Sequence, residues 1–351
     1  LGLITRRYKQ PVCVSGTHGK TTTTSMITHT LFVSGKDPSA VIGGKLPSIG
    51  GSGRVGKSDV IVCEACEFVD TFLKMSSSIS VILNVDADHL DYFGTLDNVI
   101  ASFHKFAAAT TDVIVANGDD ANTRKAIADV DKKIITFGLN EENDYCARNI
   151  GMDERGFPNF ELYVHGEHQG KIQLSIPGRH NVFNALATYA VCSLLSLDFE
   201  EIEAALKSFT GAKRRFEILG VRGGVTIADD YAHHPAELEA TLKTAMEMHY
   251  HTVWAVFQPF TFSRTVMLFD DFVRVLQIPD RVVLSEIMGG REKNTYNIYS
   301  KDLAEKIDGC VWFSTFDEIV DYVLQNAEEG DLVITLGCGD INKAAKLMLT
   351  K

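Results

Sequence analysis

The sequence predicts an α/β protein built as two doubly wound parallel sheets in succession, the first P-loop-containing and the second Rossmann-like. Three observations carry this. Short β-branched runs alternate with helix-length patterns in both halves of the 351-residue chain, the order that winds a parallel sheet with helices on both faces. The alternation breaks at the basic stretch Gly211-Ala212-Lys213-Arg214-Arg215-Phe216, which divides the chain into domains of residues 1–210 and 211–351. Near the start, a strand runs through a glycine turn straight into a helix.

In the first domain, Val12 to Val14, Asp59 to Cys63, Ile79 to Val85, Val113 to Ala116 and Lys133 to Phe137 read as buried strands. Thr21 to Ser34, Leu96 to Ala109 and Asp120 to Val130 read as helices between some of them. From Tyr145 to Ile176 the pattern changes to strands with glycine-containing turns at 153–156 and 165–170, a small antiparallel addition. Helices follow at Asn181 to Leu195 and Phe199 to Ser208. In the second domain strands are expected at Val225 to Ala228, Thr252 to Phe257, Arg281 to Leu284, Val311 to Phe313 and Leu332 to Leu336. Helices fit at Pro235 to Met248, Val266 to Leu276, Ser300 to Lys306, Phe316 to Asn326 and Ile341 to Leu349.

Composition excludes several classes. With 45% hydrophobic and 23% charged residues the chain is neither disordered nor low in complexity. A net charge of -12 leaves no basic face for nucleic acid, so an anionic ligand has to be held locally. No apolar run reaches the roughly 18–20 residues of a membrane span, and the chain reads as soluble and cytoplasmic. The seven cysteines read as reduced core residues; Cys63 and Cys66 form a CxxC with no second pair to complete a zinc site. Oligomeric state is not legible in the sequence.

The chemistry concentrates at strand ends. Ser15-Gly16-Thr17-His18-Gly19-Lys20-Thr21-Thr22-Thr23 follows a strand and opens a helix. Gly16 and Gly19 let successive N–H groups face an anion, the helix end adds its dipole, Lys20 brings a mobile charge, and Thr21 can hold Mg²⁺. The strict P-loop pattern would place its first glycine at Val14. Two acidic clusters, Glu64 with Glu67 and Asp86, Asp88 and Asp91 around His89, end the next strands, and any of these acids suits a hard cation. Pro177 to Ala185, Asp229-Asp230-Tyr231-Ala232-His233-His234-Pro235, Gln258 to Thr265 and Gly337-Cys338-Gly339-Asp340-Ile341 are further polar or glycine-rich turns that open helices.

Taken together, Gly16 to Thr23 and these later strings resemble the Mur ligases, from Gly16 to Ile341. His18 and the Asp-Asp-Tyr-x-His-His-Pro string resemble the alanine-adding branch. The resemblance implies a central ATPase domain and a C-terminal amino-acid-binding domain. It implies ATP-dependent joining of L-alanine to the carboxylate of UDP-N-acetylmuramic acid through an acyl phosphate, in peptidoglycan synthesis. ATP would be held by Gly16, Thr17, His18, Gly19, Lys20, Thr21, Thr22, His180, Asn181, Asn184, Arg215, Asp230 and Tyr231. Mg²⁺ would be held by Thr21, Glu64 and His89, and catalysis would involve Lys20, His89, Arg215, His233 and Arg264. Glu67 reads as an exposed loop acid, and Lys213 and Arg214 as solvated. Phe260 and Thr261 depart from the family's usual His and Arg, which leaves the amino-acid preference open. Alternatives are the recycling ligase that attaches a ready-made tripeptide and a nucleotide-binding module without catalysis. Members of the family carry an upstream Rossmann-like domain for the uridine diphosphate. The sequence shows no counterpart, so this chain is expected to bind ATP yet handle UDP-N-acetylmuramate poorly.

Overall fold

The computed structural model describes residues 1–153 and 156–351, with Asp91 described in its backbone only. They form two compact units, residues 1–153 with 157–213, and residues 214–351.

The first unit holds a ten-stranded sheet among the described residues. Its strands are β1 (Gln10–Ser15), β2 (Ser39–Leu46), β3 (Gly51–Arg54), β4 (Val60–Glu64), β5 (Ile79–Ile82), β6 (Val113–Asn117), β7 (Lys133–Gly138), β8 (Tyr145–Met152), β9 (Pro158–Val164) and β10 (Glu167–Gln173). Spatial order is β10-β9-β8-β7-β6-β5-β1-β4-β2-β3. β2, β4, β1, β5, β6, β7 and β8 pair in parallel, and β3, β9 and β10 are antiparallel additions at the two ends. The expected antiparallel extension is therefore continuous with the parallel sheet. Its 153–156 turn includes residues 154 and 155, which lie outside the described residues.

β1 is central, and Val12, Cys13 and Val14 are fully buried, so the strand leaving the core delivers its C-terminal turn to the middle of the sheet edge. The helix Lys20–Val33 that follows is buried over most of its length, including Thr21, Thr23, Thr24, Ser25 and Thr28. It packs against the helix His180–Leu194, and the Thr23 hydroxyl donates across that contact to the Asn184 Oδ1 at 3.0 Å.

The second unit holds β11 (Glu217–Arg222), β12 (Val225–Asp230), β13 (Val253–Phe257), β14 (Arg281–Ser285), β15 (Val311–Phe313) and β16 (Leu332–Leu336), in the order β11-β12-β16-β13-β14-β15. All pairings are parallel except β11 with β12. Buried Val253, Ala255, Phe257, Leu332, Ile334 and Leu336 carry the core on one face.

Three strands escape the sequence reading. β2 and β3 are interrupted by Gly43, Gly44, Gly51 and Gly53, which hides their alternation. β11 is a half-exposed edge strand with little apolar signal. The helix expected at Val266 to Leu276 is two, Phe262–Met267 and Phe269–Val275, meeting at Leu268, whose φ of -116° breaks the helical geometry. Cys66, read as a core residue, is exposed; Cys13, Cys63, Cys146 and Cys192 are buried and free. No helix among the described residues is long and apolar enough to cross a membrane.

Candidate active site

In the first unit the loop after β1 is moulded from two sides. Gly16 has φ +141°, and a Cβ there would come within 2.9 Å of the Leu83 Cβ. Gly19 caps the next helix in the left-handed region at φ +83°, and a Cβ there would meet the Asn184 Oδ1 at 2.8 Å. Asn84 fixes the loop between them: its Oδ1 accepts from the His18 N–H at 2.8 Å, and its Nδ2 donates to the His18 carbonyl at 3.2 Å. Thr17 completes the seam, donating its N–H to the Asn84 carbonyl and accepting the Asp86 N–H on Oγ1. The His18 ring is half-buried and makes no hydrogen bond among the described residues. Asn84 is a site residue that sequence reasoning missed, although it begins the string that ends in His89.

Lys20 curls back over this loop. Its Nζ donates to the carbonyls of Gly16 and Thr17 and pairs with Glu67, 3.1 Å from Oε1 and 3.0 Å from Oε2. Glu67 is thus not an exposed loop acid: its side chain is 2% exposed, because the turn after β4 folds it under the loop. Thr21 Oγ1 donates to the Glu64 Oε1 at 3.1 Å, and the other Glu64 oxygen accepts the Gly43 N–H at 2.9 Å. Thr22 lies half-exposed in the same first helical turn.

Of the residues expected at the metal, the structure brings Thr21 together with Glu64. The acids beside His89 are Glu67 and Asp88, 3.9 and 3.8 Å from its Nε2. Glu67, Asp88 and His89 offer ligand atoms within 4.8 Å of one another, and the buried Glu67 Oε2 faces the Lys20 ammonium. Carboxylates, a hydroxyl and an imidazole suit a hard divalent cation in both groupings, so the residues fit Mg²⁺. The side chain of Asp91 lies outside the described residues.

His180 is exposed at the start of its helix, whereas Asn181 and Asn184 are buried. Asn181 donates to the Pro177 carbonyl at 2.6 Å and accepts from the Asn184 Nδ2 at 2.8 Å, and the Asn184 Oδ1 accepts from the Thr23 hydroxyl at 3.0 Å. Both amides are first of all scaffold, tying this helix to the one that opens the loop.

The second unit gathers its candidates at the end of β12. Asp230 is buried, and its carboxylate accepts the N–H groups of Phe216 and Ala232, both at 2.7 Å. Burial pushes its carboxyl up to about 6, against the pull of Arg215 and those two bonds. Tyr231 is partly exposed, with the Arg214 and Arg215 guanidinium carbons 5.0 and 5.5 Å from its ring centre. Arg214 is anchored, not solvated: its Nε meets Asp229 at 2.9 Å, and its terminal nitrogens donate to the carbonyls of Gly337 and Gly339.

The His233 Nδ1 lies 3.0 Å from the Tyr231 carbonyl and 3.1 Å from Glu237. Both partners only accept, which assigns a proton to Nδ1. Burial works against ionisation of Glu237, but the hydrogen bond and charge of His233 outweigh it and hold that carboxyl below the usual range. His234 caps the helix Pro235–Glu247. Arg264 is half-buried, and its guanidinium makes no hydrogen bond or ion pair among the described residues. Thr261 caps the helix that carries it.

A family model described as the Mur ligase middle domain matches residues 14–192, and one described as the Mur ligase glutamate ligase domain matches residues 214–339. A UDP-N-acetylmuramate–L-alanine ligase of Caldanaerobacter subterraneus is 46% identical over 99% of this chain and 77% of its own length. Another, from Acetivibrio thermocellus, is 44% identical over 99% and 76%. Among solved structures, the UDP-N-acetylmuramate-alanine ligase of Thermotoga maritima superimposes with a TM-score of 0.83 at 27% identity, covering 99% of this chain and 76% of that one.

Proposed function

The chain belongs to the Mur ligase family, and from that premise we propose that it joins L-alanine to the carboxylate of UDP-N-acetylmuramate, coupled to cleavage of ATP. The observation that carries this reading is the loop itself. A glycine turn holds Lys20 at the end of a buried strand, with Thr21 on Glu64 beside it.

The chemistry has two steps. A muramyl carboxylate oxygen attacks the γ-phosphorus of ATP; the bond to the ADP oxygen breaks, and an acyl phosphate results. The amine of L-alanine then attacks the acyl carbon, and the tetrahedral intermediate expels phosphate as the amine gives up its proton.

In this reading the residues from Gly16 to Thr22 cradle the phosphates, and Lys20 and Arg215 balance charge on the phosphoryl group in transfer. Thr21 and Glu64, and His89, would hold Mg²⁺, which would supply charge screening for the phosphates. His180, Asn181, Asn184, Asp230 and Tyr231 serve the nucleotide. His233, oriented through Nδ1, presents Nε2 to the proton leaving the amine, and Arg264 takes the alanine carboxylate as a bidentate partner. The reaction is cytoplasmic, where ATP and the sugar nucleotide are found.

The test is phosphate release with ATP, Mg²⁺ and UDP-N-acetylmuramate present. Release that rises on adding L-alanine is the expected result. Release that responds to the cell-wall tripeptide and not to L-alanine overturns the assignment in favour of the recycling reaction.

A further inference from the structure

The two-step reaction makes no use of Glu67, although that acid is more deeply buried than any other beside the loop: its side chain is 2% exposed. An ammonium has three N–H groups, and those of Lys20 face the Gly16 carbonyl, the Thr17 carbonyl and Glu67. A phosphate can take Lys20 only by opening this ion pair. The opened state leaves a buried carboxylate next to a triphosphate, two anions where the dielectric screens them poorly. A divalent cation removes the difficulty. The Glu67 Oε2 is buried and is met by the Lys20 ammonium at 3.0 Å, so it loses that partner when the pair opens, and Asp88 and His89 stand with Glu67 in a group whose ligand atoms lie within 4.8 Å.

We propose that Glu67 is a positioning residue that makes nucleotide binding conditional on metal. It holds Lys20 within the loop before nucleotide arrives. When Lys20 turns to the phosphates, Glu67 exchanges it for a cation shared with Asp88 and His89. The inference rests on the nucleotide reading given above and adds to it: a carboxylate that disfavours metal-free ATP and tolerates the metal-bound form.

Calorimetry of ATP binding to the full chain, with Mg²⁺ and with chelator, tests this. Glu67→Gln keeps the shape and removes the charge. It should tighten metal-free ATP binding on the order of tenfold, as expected for removing one unit charge a few ångströms away. The gain that wild type shows on adding Mg²⁺ should shrink by the same factor. Glu67→Asp keeps the charge and should keep the metal dependence, which a merely structural role for Glu67 does not require. Thermal unfolding of each variant accompanies the titrations, and the Asp variant carries the test if the Gln variant unfolds: loss of metal dependence in it overturns the proposal. A folded Gln variant that binds metal-free ATP no more tightly than wild type also overturns it and leaves the nucleotide reading standing. A wild type that binds no ATP under either condition removes both.

Discussion

The turn after β1 and the turn after β16 share a plan, strand in, glycines at the corner, helix out, with Gly16 at φ +141° and Gly337 at φ +143°. Their backbone groups are held by different partners. After β1 Asn84 takes the N–H groups of Thr17 and His18, and beyond them the Thr23 N–H turns inward to the Gly19 carbonyl, which opens the helix. After β16 the N–H groups of Asp340 and Ile341 both donate to the Gln258 Oε1, at 3.0 and 3.2 Å, and Arg214 occupies the carbonyls of Gly337 and Gly339. A glycine turn can serve as an anion site where no side chain of the fold fills its helix end. The second turn is a corner, closed by a glutamine and an arginine.

Substitutions can break or sharpen this contrast. The largest effect is expected at the open turn: Lys20→Ala should lower the rate of phosphate release on the order of 10²-fold or more in a chain that still folds, at some loss of thermal stability because the buried Glu67 carboxylate loses its ammonium. Retention of more than about a tenth of the activity would contradict the role of the loop. At the closed turn the loss should appear in stability instead. Arg214→Ala leaves the buried Asp229 carboxylate without its guanidinium and should destabilise the second unit by about 2–3 kcal/mol in denaturant unfolding. An unchanged midpoint would mean that the corner is held by something other than Arg214.

Arg264→Ala comes next. It should raise the KM for L-alanine about tenfold, the loss of one exposed charge-assisted contact, while ATP affinity measured by calorimetry stays put. Equal weakening of both ligands would remove Arg264 from the amino-acid role. The smallest effect is a pH slope. Asp230 has its folded carboxyl raised to about 6 from an ordinary value of 3.8, so its contribution to stability is full below the unfolded value and is lost as pH rises through about 6. Asp229 is raised in the same sense, by burial. Glu237 is depressed, so its contribution is present above its unfolded value and fades only in more acidic solution. Between about pH 4.5 and 6 stability should therefore fall as pH rises, by at most about 1.4 kcal/mol per unit for each acid. Asp230→Asn should flatten that slope without abolishing it; the same slope in wild type and variant would mean that Asp230 does not titrate there.

The parallel strands were legible because strands buried on both faces read as continuous apolar runs; Val12 to Val14 and Leu332 to Leu336 are examples. Motifs were legible where chemistry and turn geometry coincide, as from Gly16 to Thr23. The misreadings at Glu67 and Arg214 have one cause. Both are charged residues in loops, and sequence alone assigns such groups to solvent. What buries Glu67 is a lysine 47 positions earlier in the chain, and what anchors Arg214 is a turn 123 positions later. The Gly43 and Gly44 contacts were hidden for a related reason. Their value lies in the missing side chains: a Cβ on Gly43 would meet the Glu64 carboxylate at 2.6 Å, and one on Gly44 would meet the Thr21 methyl at 3.0 Å.

The contact of Asn184 with Thr23 and Gly19 sets a timetable for synthesis. The phosphate loop leaves the ribosome early, but one wall of its mould arrives 161 residues after Thr23. Until the helix His180–Leu194 has emerged and docked, the loop has the sequence of a binding site without the support that bends it. A nascent chain halted before Asn184 should thus be blind to nucleotide, and nucleotide can protect the first unit only once nearly all of it has been made.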